Sequence, residues 1–169
     1  MGMDADEEFR WLFVSDYPSV VRTTYLVMHD HARAEELAQD AFVQLLRHWS
    51  KVSQYESPSA WLRRVAIRLA VKEARRDQRR LVLTRQDHET PGASAGDGPV
   101  EVDEELVAAI RTLSPQQRSV VVLFYYEDRP MDQIADILGC TPATGWVHLH
   151  KARKRLGALL QTEVHTDVD

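Results

Sequence analysis

One cysteine, Cys140, is the only thiol in the 169-residue chain, so no internal disulfide can form and a reducing compartment is expected. No apolar run approaches the ~18 residues that a membrane span needs, and the opening residues MGMDADEEF are acidic where a secretory signal would be basic. A cytoplasmic protein without membrane insertion is therefore expected. Strand-like alternation is missing along the chain, as is any repeat of fixed period, which leaves an all-α fold. The chain also lacks a Gly-rich phosphate loop, a nucleophile elbow and a zinc spacing, so no catalytic residue, metal or cofactor is expected. Cys140, His148 and His150 are the nearest approach to a ligand set, but Cys140 falls in a turn and the two histidines would point about 200° apart on a helix.

The formal net charge of −5 would argue against nucleic acid if it were spread evenly. It is not: residues 1–50 hold nine acids against four Lys or Arg, 51–85 hold ten bases against three acids, 86–108 hold seven acids and no base, and 109–169 balance at seven each. A chain polarised in this way can offer basic surfaces to phosphates while its acidic segments face a protein partner or shield the chain itself.

What is present is organised around Met131–Leu160. Met131, Ile134, Ala135 and Leu138 recur at helical spacing, Gly139 can leave the helix with positive φ, and Thr141-Pro142 opens a second helix. Two short helices joined by a tight turn make either an ordinary helical hairpin with a solvated basic face or a DNA-binding helix-turn-helix, whose second member enters the major groove. Here that member carries Lys151, Arg153, Lys154 and Arg155 with no acid from Trp146 to Leu160.

Upstream, Asp6 to Met28 reads as one or two amphipathic helices with a break or kink at Tyr17-Pro18. Asp30 caps a helix running to about Trp49 that buries Ala34, Leu37, Ala38, Ala41, Leu45 and Trp49. Its other face aligns Glu36, Gln39, Asp40, Val43 and Arg47, either a solvated row or a docking surface. Lys51–Ser57 is a polar loop. Ser57-Pro58 then opens a long helix to about Arg80, with Trp61, Leu62, Val65, Leu69 and Ala70 inward and Arg63, Arg64, Arg68, Lys72, Arg75, Arg76, Arg79 and Arg80 outward. Tyr55 and Trp61 are either core residues or flat faces on which unpaired bases stack. Leu83–Asp103, containing TPGASAGDGP, reads as a flexible acidic linker between two domains. Beyond it, Glu104–Leu113 and a helix from Ser114-Pro115 to about Tyr126, with Val120, Val121, Leu123 and Phe124 inward, join the helix-turn-helix in a four-helix unit.

AEELAQDAFVQLLRHW, SAWLRRVAIRLAVKEARR and LSPQQRSVVVLFYYEDRPMDQIADILGCTPATGWVHLHKARKRL, in this order, resemble a bacterial sigma factor of the extracytoplasmic-function type. The resemblance implies two helical domains: region 2 over residues 1–82 and region 4 over 104–162, with the linker at 83–103 and a tail at 163–169. It implies a promoter-specificity subunit, not an enzyme, that binds core RNA polymerase through the β′ clamp and the β subunit and assists promoter melting and initiation. A cognate anti-sigma factor is also implied. Glu36, Gln39, Asp40 and Val43 would dock on polymerase. Ser53, Gln54, Tyr55, Trp61, Arg64, Arg68, Arg75 and Arg76 would hold melted minus-10 DNA, and Thr144, Trp146, Val147, His148, Lys151 and Arg155 would meet the minus-35 element.

Two departures from the family pattern stand out. Arg68 replaces a common asparagine, and Thr144-Gly145-Trp146-Val147-His148-Leu149 replaces Thr-Val-Lys-Ser-Arg-Leu. Gly145 should weaken its helix by roughly 1 kcal/mol relative to alanine. Either an unusual minus-35 sequence is read, with Trp146 against thymine methyls, or the grip there is weak and region 2 carries more selectivity. The residues alone also admit an autonomous helix-turn-helix regulator or a polymerase-binding adaptor.

Overall fold

The computed structural model describes residues 4–84 and 103–164, with side chains up to Leu159, and the chain divides into two compact units, Met1–Gly98 and Pro99–Asp169. Most of the expected linker and the last five residues of the expected tail lie outside the described residues.

In the first unit α1 (Ala5–Met28) runs through Pro18 as a single helix. Proline deprives the Val14 carbonyl of its N–H partner, but Val14 is 75% exposed, so water can take the donor's place. The helix ends where His29 turns to φ 55° and its N–H reaches the Tyr25 carbonyl at 2.7 Å. The carboxylate of Asp30 accepts from the Arg33 N–H at 3.0 Å and starts α2 (His31–Arg47) as expected. Leu45, Ala34, Ala38 and Ala41 are fully buried. Phe42, absent from the expected stripe, is buried too. Trp49 is not on that stripe: α2 stops at Arg47, and Trp49 opens a single turn, α3 (Trp49–Val52), half-buried with its indole N–H on the Ala5 carbonyl at 3.1 Å.

The polar loop is therefore shorter than predicted, since Val52 lies in α3 and is buried. Ser57 accepts from the Ala60 N–H at 3.2 Å and caps α4 (Pro58–Thr84), which continues into the first two residues of the expected linker. Its buried arc is Leu62, Ala66, Ile67, Ala70, Val71 and Ala74, while Trp61, Val65 and Leu69 are only half-buried at its rim. The shift arises because α4 packs against both α1 and α2, so small alanines sit at the close approaches and the larger residues at the edge. No residue of α4 after Ala74 is buried.

In the second unit α5 (Glu104–Arg111) is capped by Asp103 and ends short of Leu113, which is nevertheless buried. Ser114 caps α6 (Pro115–Val121), which widens into a π-helical turn, Val122–Tyr126. The i→i+5 bond from the Glu127 N–H to the Val122 carbonyl (3.0 Å) adds a residue to the turn. As a result Val122 goes inward, Phe124 stays half-buried and Tyr125 points to solvent. α7 (Met131–Leu138) ends at Gly139 with φ 68°, and Thr141 accepts from the Thr144 N–H at 3.2 Å at the start of α8. The second helix is not short: α8 spans Pro142–Val164, 23 residues, because Leu149 and Ala152 keep packing beyond its first turns. All described elements are helical.

Candidate nucleic-acid interface

On α2 the residues Glu36, Gln39, Asp40 and Val43 are all exposed and share one face. Leu46, one turn on and 58% exposed, extends that face, and its spacing of three from Val43 could have flagged it. The row has an aromatic border from α1: Phe13 meets Phe42 at 4.8 Å between centroids, and the Gln39 amide reaches the Tyr17 hydroxyl at 3.5 Å. Glu36 is already engaged. Arg33 donates to it at 2.5 Å and to Glu73 of α4 at 2.7 Å, and Arg76 lies 3.8 Å from Glu73. The hydrogen bonds to Glu36 and Glu73 push the Arg33 pKa up, and the Arg33 bond holds the Glu73 carboxyl below its ordinary range.

Along α4, at about 100° per residue, Trp61, Arg64, Arg68, Lys72, Arg75, Arg76 and Arg79 fall opposite Ala66, Ala70 and Ala74. Arg68, Lys72, Arg76 and Arg79 are exposed; Arg64, Arg75 and Trp61 are half-buried, with the His48 ring 5.8 Å from Trp61. Arg63, assigned outward by sequence, instead turns inward and donates to the Ser19 hydroxyl of α1 at 2.9 Å, because it stands at the centre of the buried arc. Gln54 and Tyr55 are exposed in the turn before α4 and Ser53 is half-buried. Lys72 and Arg79 belong to the same face as the chosen arginines and were omitted from the expected DNA-binding set.

α8 packs through Gly145, Leu149 and Ala152. A Cβ on Gly145 would lie 2.5 Å from the Met131 sulfur. The glycine therefore allows α7 and α8 to approach closely, a gain set against its cost of roughly 1 kcal/mol in helix propensity. Val147 (50% exposed) and Lys151 project from the centre of the outer face, with Thr144 beside them. Trp146 sits at one edge, 5.6 Å from the Phe124 ring at 68°. Arg153 lies over Phe124 and Tyr125 and donates to the Tyr125 hydroxyl at 2.5 Å. At the other edge His148 is half-buried, and Arg155 donates to the Thr112 hydroxyl at 3.3 Å. Ala143, His150 and Lys154 share the outer face and were not among the expected residues. Behind it, burial pushes the Arg118 guanidinium down to about 10, and its Nη2 donates to the Leu113 carbonyl at 3.1 Å.

Two helical units, one pairing a basic helix with an acidic, partly apolar exposed row and the other holding a helix-turn-helix, define the class of all-helical proteins with basic faces of the kind that bind DNA. Family models for sigma-70 region 2 and sigma-70 region 4 match residues 12–80 and 103–156. The RNA polymerase sigma-E factor of Streptomyces avermitilis is 30% identical over 85% of this chain and 80% of its own, and that of Streptomyces antibioticus 29% identical over 92% and 86%. Among solved structures, the sigma factor RpoE from Bartonella quintana, crystallised with the anti-sigma factor NepR, superposes with a TM-score of 0.67 at 22% identity, covering 91% of this chain and 97% of that one. The chain belongs to the sigma-70 family of RNA polymerase sigma factors, in its extracytoplasmic-function group. Sigma factors are regulatory subunits. No described helix is long and apolar enough to cross a membrane.

Proposed function

We propose that this chain binds core RNA polymerase in the cytoplasm, directs it to promoters and assists melting, without catalytic residues of its own. Residues 1–82 act as region 2 and 104–162 as region 4, joined by 83–103 and followed by the tail 163–169. Glu36, Gln39, Asp40 and Val43 meet the β′ clamp, and the β subunit is contacted elsewhere. Ser53, Gln54, Tyr55, Trp61, Arg64, Arg68, Arg75 and Arg76 take the unstacked minus-10 strand, and the outer face of α8, with Thr144, Trp146, Val147, His148, Lys151 and Arg155, meets the minus-35 duplex.

The observation that carries this reading is the division of labour within the first unit. One helix, α4, keeps a basic face from Arg64 to Arg79 with the exposed Tyr55 in the turn before it, while its neighbour α2 presents Gln39, Asp40, Val43 and Leu46 on its exposed face. A cognate anti-sigma factor is supported by the Bartonella quintana factor, which was solved with one. Run-off transcription on genomic fragments with purified core polymerase tests the proposal: transcripts that need this protein are expected. Polymerase binding without new transcripts would point to an adaptor, and specific duplex binding without polymerase to an autonomous regulator.

A further inference from the structure

A major-groove helix reads bases mainly with its N-terminal turns, and the commonest specific contact is an Arg or Lys on a guanine edge. From Pro142 to His150 α8 holds no Lys, Arg, Asp or Glu. The one small hydroxyl there, on Thr144, is 2.9 Å from the Thr141 hydroxyl at the helix cap. The side chains left to face the groove in these turns are Ala143 and Val147, with Trp146 at the edge, its indole propped against Phe124, and His150 as the one polar ring, on the last of these turns. The cations come later. Arg153 is engaged with Phe124 and Tyr125 and Arg155 with Thr112, while Lys151 and Lys154 flank the apolar group on the outer face, where they suit phosphates.

Among base-pair edges in the major groove, the one apolar group is the C5-methyl of thymine. We propose that α8 reads thymine through this methyl group, with Val147 as the principal contact and Ala143 and Trp146 as its flanks. Lysines beside an apolar centre favour DNA over an apolar protein groove as the occupant. The inference rests on the reading of α8 as the minus-35 helix and specifies which chemistry it recognises.

The test uses holoenzyme assembled from core polymerase and the full chain. Promoters are selected from a pool with a constant minus-10 region and a randomised upstream region, and the winners are remade with deoxyuridine replacing each upstream thymine in turn. At one or two positions, loss of the methyl should weaken promoter binding about four-fold, the factor one buried methyl predicts. Val147→Ala should reduce the thymine-to-uracil ratio at one such position to near one. Replacing that T·A pair by 5-methylcytosine·guanine should retain affinity that unmethylated C·G loses. Val147 is exposed, so the variant is expected to fold, and circular dichroism checks it.

If a selected upstream element binds with no response to deoxyuridine, or with a response that Val147→Ala leaves unchanged, the methyl readout is overturned while the placement of α8 stands. If no upstream element is selected and Lys151→Glu leaves promoter binding intact, the minus-35 reading falls and takes the methyl readout with it.

Discussion

The two units carry their binding residues differently. In the first, α4 carries a basic outer face from Arg64 to Arg79 and α2 is acidic beside it, and Arg33 ties Glu36 of α2 to Glu73 of α4. In the second, the recognition helix is uncharged through its first two turns, and two of its four cations are held by Tyr125 and Thr112. A face of exposed cations gains its affinity from phosphates whatever the sequence, and is weakened by salt. A face of exposed apolar groups gains little until a matching shape is presented. The first unit is therefore suited to holding a strand and a partner, the second to discrimination.

The sharpest way to break this comparison is Asp40→Lys. Charge reversal on an exposed docking row should cost several kcal/mol of association and remove binding to core polymerase in a pull-down, with the helical content unchanged. Retained binding would move the docking surface off α2. Next in size, Leu62→Ala, at a fully buried position facing both α1 and α2, should destabilise the first unit by about 2–5 kcal/mol, read from urea unfolding.

In the second unit Gly145→Ala should destabilise by about 1–2 kcal/mol despite alanine's better helix propensity, because the new methyl meets the Met131 sulfur. A Met131→Val partner substitution should relieve part of that loss. A gain in stability from Gly145→Ala alone would show that Met131 moves aside freely. Arg76→Ala should lower the slope of log affinity against log salt by about one, equally on all promoters, as expected for one phosphate contact.

The smallest effect concerns pH. The Glu73 carboxyl is held below its ordinary range by Arg33, so its stabilising contribution is complete above the unfolded-state value and is lost as pH falls through the lower folded value. Asp77, raised by burial, contributes with the opposite sign. The readout is therefore the difference between the native chain and Arg33→Ala: the gap in urea midpoint should narrow on acidification, and a constant gap would assign Arg33 to solvent.

Much of this protein was legible from residue order alone, because caps and periodicity act locally. Asp30, Ser57, Ser114 and Thr141 each accept the expected backbone N–H, and Gly139 adopts the positive φ that a chain leaving α7 needs. Motif order and charge segregation then pointed to the family. What lay beyond reach depends on neighbours distant in sequence. Arg63 reads as one more surface arginine until α1 supplies Ser19, Trp49 reads as core until α1 begins at its indole, and Gly145 reads as a flaw until Met131 arrives from α7. The π-helical turn that carries Phe124 and Tyr125 to α8 has no local signature in VLFYY. Local rules set which segments are helical and which side is polar. Packing between helices decides which of the polar and aromatic side chains remain available to DNA and polymerase.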